Sequence, residues 1–234
     1  LSSILKHVDR MSLDKCRNII KKARDASVSV KPDRASIHRY IDEEEEESQV
    51  LNLNTDEPYL PPHANPNGYT LVLDLDETLI HYFDEEEDDV GGHFLIRPGT
   101  EDFLEEMSQH YELVVFTAGM QDYADWVLDQ LDPHGFIKYR LYRQHTEYDG
   151  NVYIKDLSRL GRDLDKTLII DNVPENFQRQ PDNGIYIKTW IDDMTDTAFE
   201  QLTPLLLGIV DHQIPDVSAA LKQFRQELLD QMDE

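Results

Sequence analysis

Two aspartates that follow an apolar segment are the residues of this sequence best suited to chemistry. Residues 71–73 are Leu-Val-Leu, and Asp74 and Asp76 come directly after them with one leucine between. In an extended segment, side chains two positions apart project to the same side, so the two carboxylates are expected to lie close together. Like charges held so close repel each other unless a cation or a shared proton lies between them. A D-x-D-x-T string alone also occurs by accident in acidic chains, so further residues are needed to support a site.

Three later segments repeat this arrangement, in which a short extended run leads into polar residues. The runs are 112–116, 151–154 and 166–170, and the residues that follow them are Thr117 with Ala118, Lys155, and Asp171 with Asn172. Helix-like stretches at 100–110 and 122–131 lie between the strands. Alternating strands and helices are typical of the α/β class, with a central parallel sheet covered by helices. In such sheets ligands bind beyond the carboxyl ends of the strands, so the polar residues are predicted to meet along one edge.

The sequence around these residues resembles a known family. The segments LVLDLDETLIH, IRPGTEDFLEEM, ELVVFTAG, YADWVLDQLDP, YIKDLSRLGRDL and LIIDNVPENFQ are similar, in order and spacing, to the motifs of the haloacid dehalogenase superfamily of aspartate-nucleophile phosphatases. More narrowly, they resemble the small C-terminal-domain phosphatase group, whose known members act on phosphoserine or phosphothreonine in proteins. The resemblance runs over residues 69–210. It implies a Rossmann-like parallel sheet flanked by helices. The chain itself leaves only 37 residues between Thr117 and Lys155, so no large cap domain is expected, and the acidic run at 84–89 is expected to form only a short flap.

The resemblance also implies a chemical role for each polar residue. Asp74 would be the nucleophile that forms an aspartyl-phosphate, since a covalent intermediate divides one difficult hydrolysis into two easier steps. Asp76 would protonate the leaving oxygen and then activate the water that hydrolyses the intermediate. The phosphoryl group would be bound by Thr78, Thr117, Ala118 and Lys155. A Mg²⁺ ion would be held by Asp74, by the backbone carbonyl of Asp76, and by the pair Asp171 and Asn172, of which either member could be the direct ligand.

Each of these residues also has a purely structural interpretation when it is taken alone. Thr117 would serve as a helix N-cap, and Lys155 as a solvated surface lysine. Asp171 and Asn172 would form part of a turn, and Thr78 would simply begin the next helical turn. Their combination in order and spacing favours the catalytic interpretation.

Charge divides the chain into a basic arm and an acidic body. Residues 1–41 contain ten lysines and arginines against four acidic residues, whereas the rest of the chain contains twelve against forty-four. This asymmetry predicts a basic amphipathic helical arm at 1–41 and a linker at 42–68 that is first acidic and then rich in Pro and Asn. We expect a phosphatase-like catalytic domain over 69–211 and a C-terminal helix over 212–234.

The basic arm is expected to form a docking element. Its apolar residues recur at helical intervals with Lys and Arg between them, as in helices that bind a protein partner or a membrane surface. A helix that merely completes the core of this domain is the structural alternative. The other expected partner is a phosphoprotein substrate, and no nucleic acid partner is expected.

The cysteine count and the lack of long apolar runs indicate the setting. Cys16 is the single cysteine, which excludes an internal disulfide and fits a reducing intracellular compartment. No apolar run of about eighteen residues exists, so no membrane-spanning segment is expected. The cytoplasm or nucleus is the predicted location, with the mitochondrion as the alternative. Because the chain begins at Leu1 rather than methionine, a targeting signal or anchor upstream would not be seen.

The sequence departs from the family between Leu79 and Arg97. Known members carry a longer, strand-rich insertion there, whereas this chain has six consecutive acidic residues at 84–89 followed by two glycines. Six like charges repel one another, and their potential opposes an acidic substrate. A basic phosphopeptide is therefore the expected type of substrate, and the multiply phosphorylated tail of RNA polymerase is disfavoured.

Two functions without catalysis stay open. A mitochondrial presequence receptor shares this fold, and the segments DPHGFIKYRL and QPDNGIYIKTW resemble it. Those receptors characteristically lack an intact first motif, whereas Asp74, Asp76 and Thr78 are all present here. The second alternative is a structural subunit of a larger assembly, attached through the basic arm.

Overall fold

The computed structural model describes residues 57–84 and 92–232. Its strands are β1 (Tyr69–Leu73), β2 (Ile80–Phe83), β3 (His93–Ile96), β4 (Tyr111–Phe116), β5 (Ile137–Leu141), β6 (Glu147–Tyr148), β7 (Tyr153–Ile154), β8 (Thr167–Asp171) and β9 (Gly184–Tyr186). Its helices are α1 (Thr100–Ser108), α2 (Gln121–Leu131), α3 (Ala198–Asp211) and α4 (Val217–Met232). Short 3₁₀ turns occupy Arg143–His145, Leu157–Leu160, Leu164–Lys166, Pro174–Phe177 and Pro181–Asn183. The basic arm at 1–41, the linker as far as residue 56 and all but the first residue of the acidic run lie outside the described residues.

Five parallel strands form the central sheet, in the order β5-β4-β1-β8-β9. β1 lies at the centre and pairs with both β4 and β8, so Leu73 lies level with Val115 on one side and with Ile170 on the other. All five residues of β1 are buried, as expected for a central parallel strand whose two faces are both covered. The predicted α/β class with a central parallel sheet is confirmed.

The two faces of the sheet are covered by different kinds of structure. Leu71 and Leu73 of β1 pack in a core with residues of all four helices. Val72 points to the opposite face, where it packs with residues of the 3₁₀ turns, among them Leu157 and Phe177. This division follows from the two-residue period of a strand. Helices therefore cover one face, and short turns cover the other.

Two small antiparallel hairpins lie outside the main sheet. β2 pairs with β3, and β6 pairs with β7. The extended run predicted at 151–154 contributes only Tyr153 and Ile154 to the second hairpin. Lys155 therefore reaches the edge of the main sheet from a loop, where its backbone N–H donates to the carbonyl of Asn176 (2.6 Å).

Residues 57–68, which we call the N-terminal strap, pack against the domain. Leu60 is only 6% exposed and belongs to the core beside the 3₁₀ turns. The backbone N–H of Tyr59 donates to the carbonyl of Arg159, and Arg162 donates to the carbonyl of Pro61 (2.8 Å each). The composition of the strap predicted a solvated linker, since Pro and Asn favour loops. Composition alone does not reveal that one leucine of such a segment is buried by tertiary packing.

The chain ends in two helices that pack on the domain. α3 contributes Phe199, Leu206 and Ile209 to the core, and α4 contributes Val217 and Leu221. The helix predicted within 212–234 corresponds to α4. Among residues 57–84 and 92–232, no helix has the length and apolar character needed to cross a lipid bilayer.

Candidate active site

A buried lysine between two aspartates forms the centre of the candidate site. Asp74 follows the end of β1, and its backbone N–H still donates to the carbonyl of Ile170 in β8 (3.0 Å). Asp171 is the last residue of β8. The Lys155 Nζ atom lies 2.5 Å from Asp74 Oδ1 and 2.6 Å from Asp171 Oδ2, and all three side chains are buried. Three residues singled out in the sequence are therefore in direct contact.

The charges at this centre shift the pKa values of its groups. Burial raises the pKa of Asp74 to about 7. The negative charges of Asp171 and Asp76 also act to raise this pKa, whereas the positive charge of Lys155 acts to lower it. Burial acts to lower the pKa of the Lys155 ammonium, but the carboxylates of Asp74 and Asp171 outweigh it and raise that pKa above its usual range. The lysine therefore stays charged, whereas Asp74 lies between its two protonation states near neutral pH.

The turn after Asp74 directs a hydroxyl group back to that residue. Thr78 is fully buried, and its Oγ1 donates to Asp74 Oδ2 (2.8 Å). Glu77 adopts a positive φ of 56°, and its carbonyl accepts a hydrogen bond from the backbone N–H of Trp190 (2.9 Å). Such a φ costs a residue other than glycine about 1–3 kcal/mol and persists where the surroundings fix it. As a result, each oxygen of Asp74 has its own donor, the Lys155 ammonium for Oδ1 and the threonine hydroxyl for Oδ2.

Asp76 has different partners from Asp74. Its Oδ1 accepts a hydrogen bond from the Tyr123 hydroxyl (2.5 Å), and its Oδ2 accepts one from Thr117 Oγ1 (3.3 Å). Burial raises the pKa of Asp76 above its usual value, against the opposing effects of Tyr123, Lys155 and Thr117. Two carboxylates in unlike surroundings can hold different protonation states, which is the arrangement that separate acid and nucleophile roles require.

The loop after β4 brings Thr117 to this edge. Thr117 Oγ1 accepts a hydrogen bond from the N–H of Gly119 (2.8 Å) while it donates to Asp76. A Cβ atom on Gly119 would lie only 3.1 Å from Thr117 Oγ1, so glycine permits this tight loop. The carbonyl of Ala118 accepts a hydrogen bond from Arg143 Nε (2.7 Å). The loop thus fixes Thr117 and joins Ala118 to the turn after β5.

The neighbours Asp171 and Asn172 point in different directions. Asp171 faces Lys155, and Asn176 Nδ2 donates to both of its carboxylate oxygens (3.3 Å each). The amide of Asn172 instead donates to the hydroxyl of Thr189 (3.2 Å). Of the two residues that the resemblance assigned to a metal ion, Asp171 is therefore the one that faces Asp74.

The oxygen atoms at this edge suit a hard cation in their chemistry. Lys155 lies between Asp74 and Asp171, and the described residues contain no group of three His, Cys, Asp or Glu side chains already arranged around an ion position. Nevertheless, Asp74 and Asp171 share a single ammonium group, and the nearby Asp76 carboxylate accepts hydrogen bonds from two hydroxyl groups, so carboxylates outnumber cations in this region. Mg²⁺ is usually bound by one or two carboxylates and keeps several waters, so these residues fit that ion.

A buried arginine supports the turn that holds Thr78. Arg97 is 1% exposed, and its Nε and Nη2 donate to the two carboxylate oxygens of Asp196 (2.8 Å each). Its Nη1 donates to the carbonyl of Thr78 (3.3 Å), and the guanidinium lies over the Phe199 ring at 5.5 Å. Arg97 therefore connects the turn beside Asp74 to the start of α3.

Several residues that touch the site were not among the predicted site residues. Tyr123 contacts Asp76, Asn176 contacts Asp171, and Arg143 contacts Ala118. Tyr123 lies on the helical period of α2, so the sequence indicates a core residue and gives no sign of its hydroxyl bond. Asn176 follows the Asp171 motif by five positions, and only the 3₁₀ turn Pro174–Phe177 brings it back.

Comparison with known proteins identifies the family. Residues 69–218 match the family model described as NLI interacting factor-like phosphatase. The chain belongs to this family. The matched region includes all five strands of the central sheet and extends to the start of α4. The resemblance to the small C-terminal-domain phosphatases of the haloacid dehalogenase superfamily is confirmed.

Relatives within and around this phosphatase family differ in their names. The chain is 42% identical over 181 residues to "CTD small phosphatase-like protein 2" of Dictyostelium discoideum, covering 70% of this chain and 32% of that protein. It is 42% identical over 156 residues to "Mitochondrial import inner membrane translocase subunit TIM50" of Kluyveromyces lactis, covering 66% and 32%. It is 36% identical over 196 residues to the human "Carboxy-terminal domain RNA polymerase II polypeptide A small phosphatase 1", covering 77% and 74%. The first two matches thus span about a third of the relative's length.

Solved structures include a similar chain. A variant of the fission yeast RNA polymerase II CTD phosphatase Fcp1, bound to beryllium fluoride, superimposes with a TM-score of 0.44 at 21% identity. The superposition covers 71% of this chain and 56% of that chain.

Proposed function

We propose that this chain is a Mg²⁺-dependent protein serine/threonine phosphatase that acts through an aspartyl-phosphate at Asp74. The observation that carries the proposal is the pair of unlike carboxylates at the end of β1. Asp74 accepts hydrogen bonds from an ammonium group and a hydroxyl group, whereas Asp76 accepts them from two hydroxyl groups. A nucleophile and a general acid need such a difference in surroundings.

In the first step, a carboxylate oxygen of Asp74 attacks the phosphorus of the phosphoserine or phosphothreonine. A bond forms between that oxygen and phosphorus, and the bond from phosphorus to the side-chain oxygen of the substrate breaks. Asp76 donates its proton to this leaving oxygen, which departs as the free hydroxyl group. Lys155 and Thr117 stabilise the charge on the transferring phosphoryl group, with the loop at Ala118 and the Thr78 hydroxyl completing its surroundings.

In the second step, water hydrolyses the aspartyl-phosphate. Asp76, now ionised, takes a proton from the water while the water oxygen bonds to phosphorus. The bond between phosphorus and Asp74 breaks, so inorganic phosphate leaves and Asp74 regains its carboxylate form. Asp76 ends the cycle protonated, ready for the next substrate.

The residues that would hold Mg²⁺ are Asp74, Asp171 and the backbone carbonyl of Asp76, with Asn172 as a more distant contributor. The ion would supply positive charge that favours the ionised form of Asp74 and offsets the charge of the phosphoryl group. Lys155 supplies part of the same charge from the protein itself, because its pKa is raised and it stays protonated.

A phosphoprotein substrate is supported by the names of the relatives. The human relative is a small phosphatase of the carboxy-terminal domain of an RNA polymerase II polypeptide, that is, of a protein segment. The nucleus, the cytoplasm and the mitochondrion are all compatible with the relatives, which include a subunit of the mitochondrial inner membrane translocase.

A binding role without catalysis is the second candidate. It is supported by the 42% identity to the TIM50 of Kluyveromyces lactis and by the net charge of −26, which suits basic peptide segments. Under this hypothesis Asp74 and Asp76 would contribute only to the stability of the turn.

Hydrolysis of an aryl phosphate by the full chain distinguishes the two candidates. The wild type should be active with Mg²⁺ and inactive in excess chelator, and Asp74→Asn should be inactive while folded. Asp211→Asn, an exposed change of the same chemistry at the end of α3, serves as the matched control and should retain full activity. Mass spectrometry of the quenched wild-type reaction should detect the phosphorylated enzyme. Loss of the nucleophile should reduce the activity far more than tenfold. If Asp74→Asn keeps more than about a tenth of the wild-type activity, the covalent mechanism is rejected.

A further inference from the structure

Four aromatic side chains form a continuous contact from the first hairpin to the candidate acid. We call Tyr82, Phe94, Tyr123 and Trp126 the aromatic bridge. The Tyr82 ring meets the Tyr123 ring edge to face, with 5.5 Å between centroids and 81° between planes. It meets the Trp126 ring in the same way at 6.4 Å, and Phe94 meets Trp126 at 5.4 Å. The bridge ends at the Tyr123 hydroxyl, which donates to Asp76 Oδ1 at 2.5 Å.

Two pairs of residues from two elements build this bridge. Tyr82 of β2 and Phe94 of β3 lie directly opposite each other in the hairpin, so their side chains share one face of it. Tyr123 and Trp126 are three positions apart in α2, so they share one face of that helix. The aromatic face of the hairpin therefore packs on the face of α2 that carries the hydroxyl bonded to Asp76.

We propose that the aromatic bridge positions the Tyr123 hydroxyl, so that the β2–β3 hairpin determines how well Asp76 delivers its proton to the leaving group. This inference rests on the proposed function of Asp76. Tyr82 is a positioning residue in this account, since it touches Tyr123 and acts on Asp76 only through that residue. The hairpin thus contributes to proton transfer through its contact with Tyr123.

The geometry explains why a ring contact matters for proton transfer. A tyrosine side chain turns about only two bonds, so a neighbour that contacts its ring fixes where its hydroxyl lies. An O–H···O bond weakens steeply when its angle falls or its length grows beyond about 3.0 Å. Without the Tyr82 ring, the Tyr123 hydroxyl gains freedom, and the carboxyl group of Asp76 loses the bond that orients it.

A misplaced acid has a characteristic kinetic effect. A strongly basic leaving oxygen needs a proton in the transition state, whereas a weakly basic one can leave without it. Loss of general acid catalysis therefore slows substrates with basic leaving groups and spares those with good leaving groups. A general loss of structure would slow both kinds of substrate to the same degree.

The experiment compares kcat/KM for phenyl phosphate and 2,4-dinitrophenyl phosphate in the full chain with Mg²⁺. For Tyr82→Leu, we expect a loss of about tenfold on phenyl phosphate, within the range of a general acid, and less than about twofold on the dinitrophenyl ester. Tyr82→Phe should retain both rates, because it keeps the ring that contacts Tyr123. An equal loss on both substrates in Tyr82→Leu, or no loss on either, would overturn the proposal.

A matched control comes from the next residue of the same strand. Phe83 lies on the other face of the hairpin, where its ring contacts His81 and His93. Phe83→Leu should leave the ratio of the two rates unchanged. If Tyr82→Leu does not fold, Trp126→Leu removes the second contact of the Tyr82 ring and is interpreted in the same way.

Unfolding temperatures separate this inference from the proposed function. If the wild type hydrolyses neither ester, the phosphatase proposal fails. The contact within the bridge is then tested by the melting temperatures of Tyr82→Leu, Tyr123→Phe and the double variant. The fall in melting temperature caused by Tyr123→Phe should be at most about half as large in the Tyr82→Leu background, because residues that share a contact are not additive. If the two substitutions lower the melting temperature by strictly additive amounts, the inference of a contact between Tyr82 and Tyr123 is overturned.

Discussion

At the scale of single residues, the site depends on one ammonium group placed between two buried carboxylates. Lys155 is fully buried. Its ammonium group contacts Asp74, which directly follows β1, and Asp171, which is the last residue of β8. Burying a charge is costly unless it is paired, so each of the three groups depends on the other two. The lysine therefore has a structural role in addition to its proposed catalytic one.

Replacement of Lys155 by methionine should reduce both stability and activity. Two buried carboxylates would lose their shared cation, and the stability should fall by about 3 kcal/mol, as for other buried ion pairs that lose one partner. Lys155→Met combined with Asp171→Asn should recover at least half of this loss, since one of the repelling charges is then gone. Urea unfolding of the two variants and the wild type measures the effect. A double variant less stable than the single one would contradict the electrostatic account.

The raised pKa of Asp74 predicts how stability changes with pH. Its pKa is raised from 3.8 to about 7 in the folded chain, so between these values the folded state keeps a proton that the unfolded state has lost. Stability from this group therefore falls as the pH rises through that range. In excess chelator, Asp74→Asn should become more stable than the wild type by a margin that grows from about pH 4 to about pH 8. A margin that stays constant, as expected for the control Asp211→Asn, would contradict the shift.

The polar residues after the strands could be predicted from the sequence, whereas their supporting contacts could not. A strand that is followed by Asp74 or that ends in Asp171 is visible in the sequence, because apolar runs and the polar residues at their ends are local features. The bond from Tyr123 to Asp76 depends on where a helix packs relative to a strand, which no local pattern records. The positions of Asn172 and Asp171 also required the fold, since neighbouring polar side chains in a turn have no fixed direction.

At the scale of structural elements, the turn beside Asp74 is held by contacts with residues that are distant in the chain. Arg97 follows β3, and it joins the Thr78 carbonyl to Asp196. Asp196 also accepts a hydrogen bond from the backbone N–H of Ala198, the first residue of α3. A single arginine therefore fixes the turn that follows Asp74 against the beginning of a helix.

Replacement of Arg97 by lysine should destabilise the domain although the charge is kept. An ammonium group cannot bind both oxygens of Asp196 and reach the Thr78 carbonyl as well, because it lacks the planar fork of a guanidinium. We expect a loss of about 3 kcal/mol, as for broken buried pairs. Arg179→Lys is the matched control: its pair with Glu147 is 42% and 55% exposed, and the change should cost less than about 1 kcal/mol. Equal effects of the two changes in urea unfolding would contradict this role.

At the scale of the whole molecule, the folded domain begins earlier than the family match. The match starts at residue 69, but the strap at 57–68 places Leu60 in the core and binds Arg159 and Arg162. Gly161 has a φ of 68°, and a Cβ there would lie 2.6 Å from Pro58 Cβ, so the strap and this turn fit closely. The strap covers the face of the sheet on which, among residues 57–84 and 92–232, 3₁₀ turns pack instead of helices.

Replacement of Leu60 by alanine tests whether the strap belongs to the domain. Loss of a buried leucine should lower the stability by about 2–4 kcal/mol, because it removes apolar burial and leaves a cavity. Glu57→Ala, an exposed change in the same segment, should have an effect within about 0.5 kcal/mol. Thermal unfolding of the full chain measures both. If Leu60→Ala has the melting temperature of the wild type, the strap is a linker and does not contribute to the stability of the domain.

The place of β1 in the sheet also determines when the protein can first act during its synthesis. Thr70 of this strand pairs with Thr167, so most of the domain must leave the ribosome before the strand has its second neighbour. At ordinary rates of translation this interval lasts roughly ten seconds, during which one edge of a strand that is fully buried in the finished domain is open to chaperones. Lys155 and Asp171, which surround Asp74 in the folded domain, come much later in the chain, so under the proposed function the nucleophile is made long before the groups that would make it reactive. Under the proposed function, a chain built in this order would stay inactive until its domain is complete.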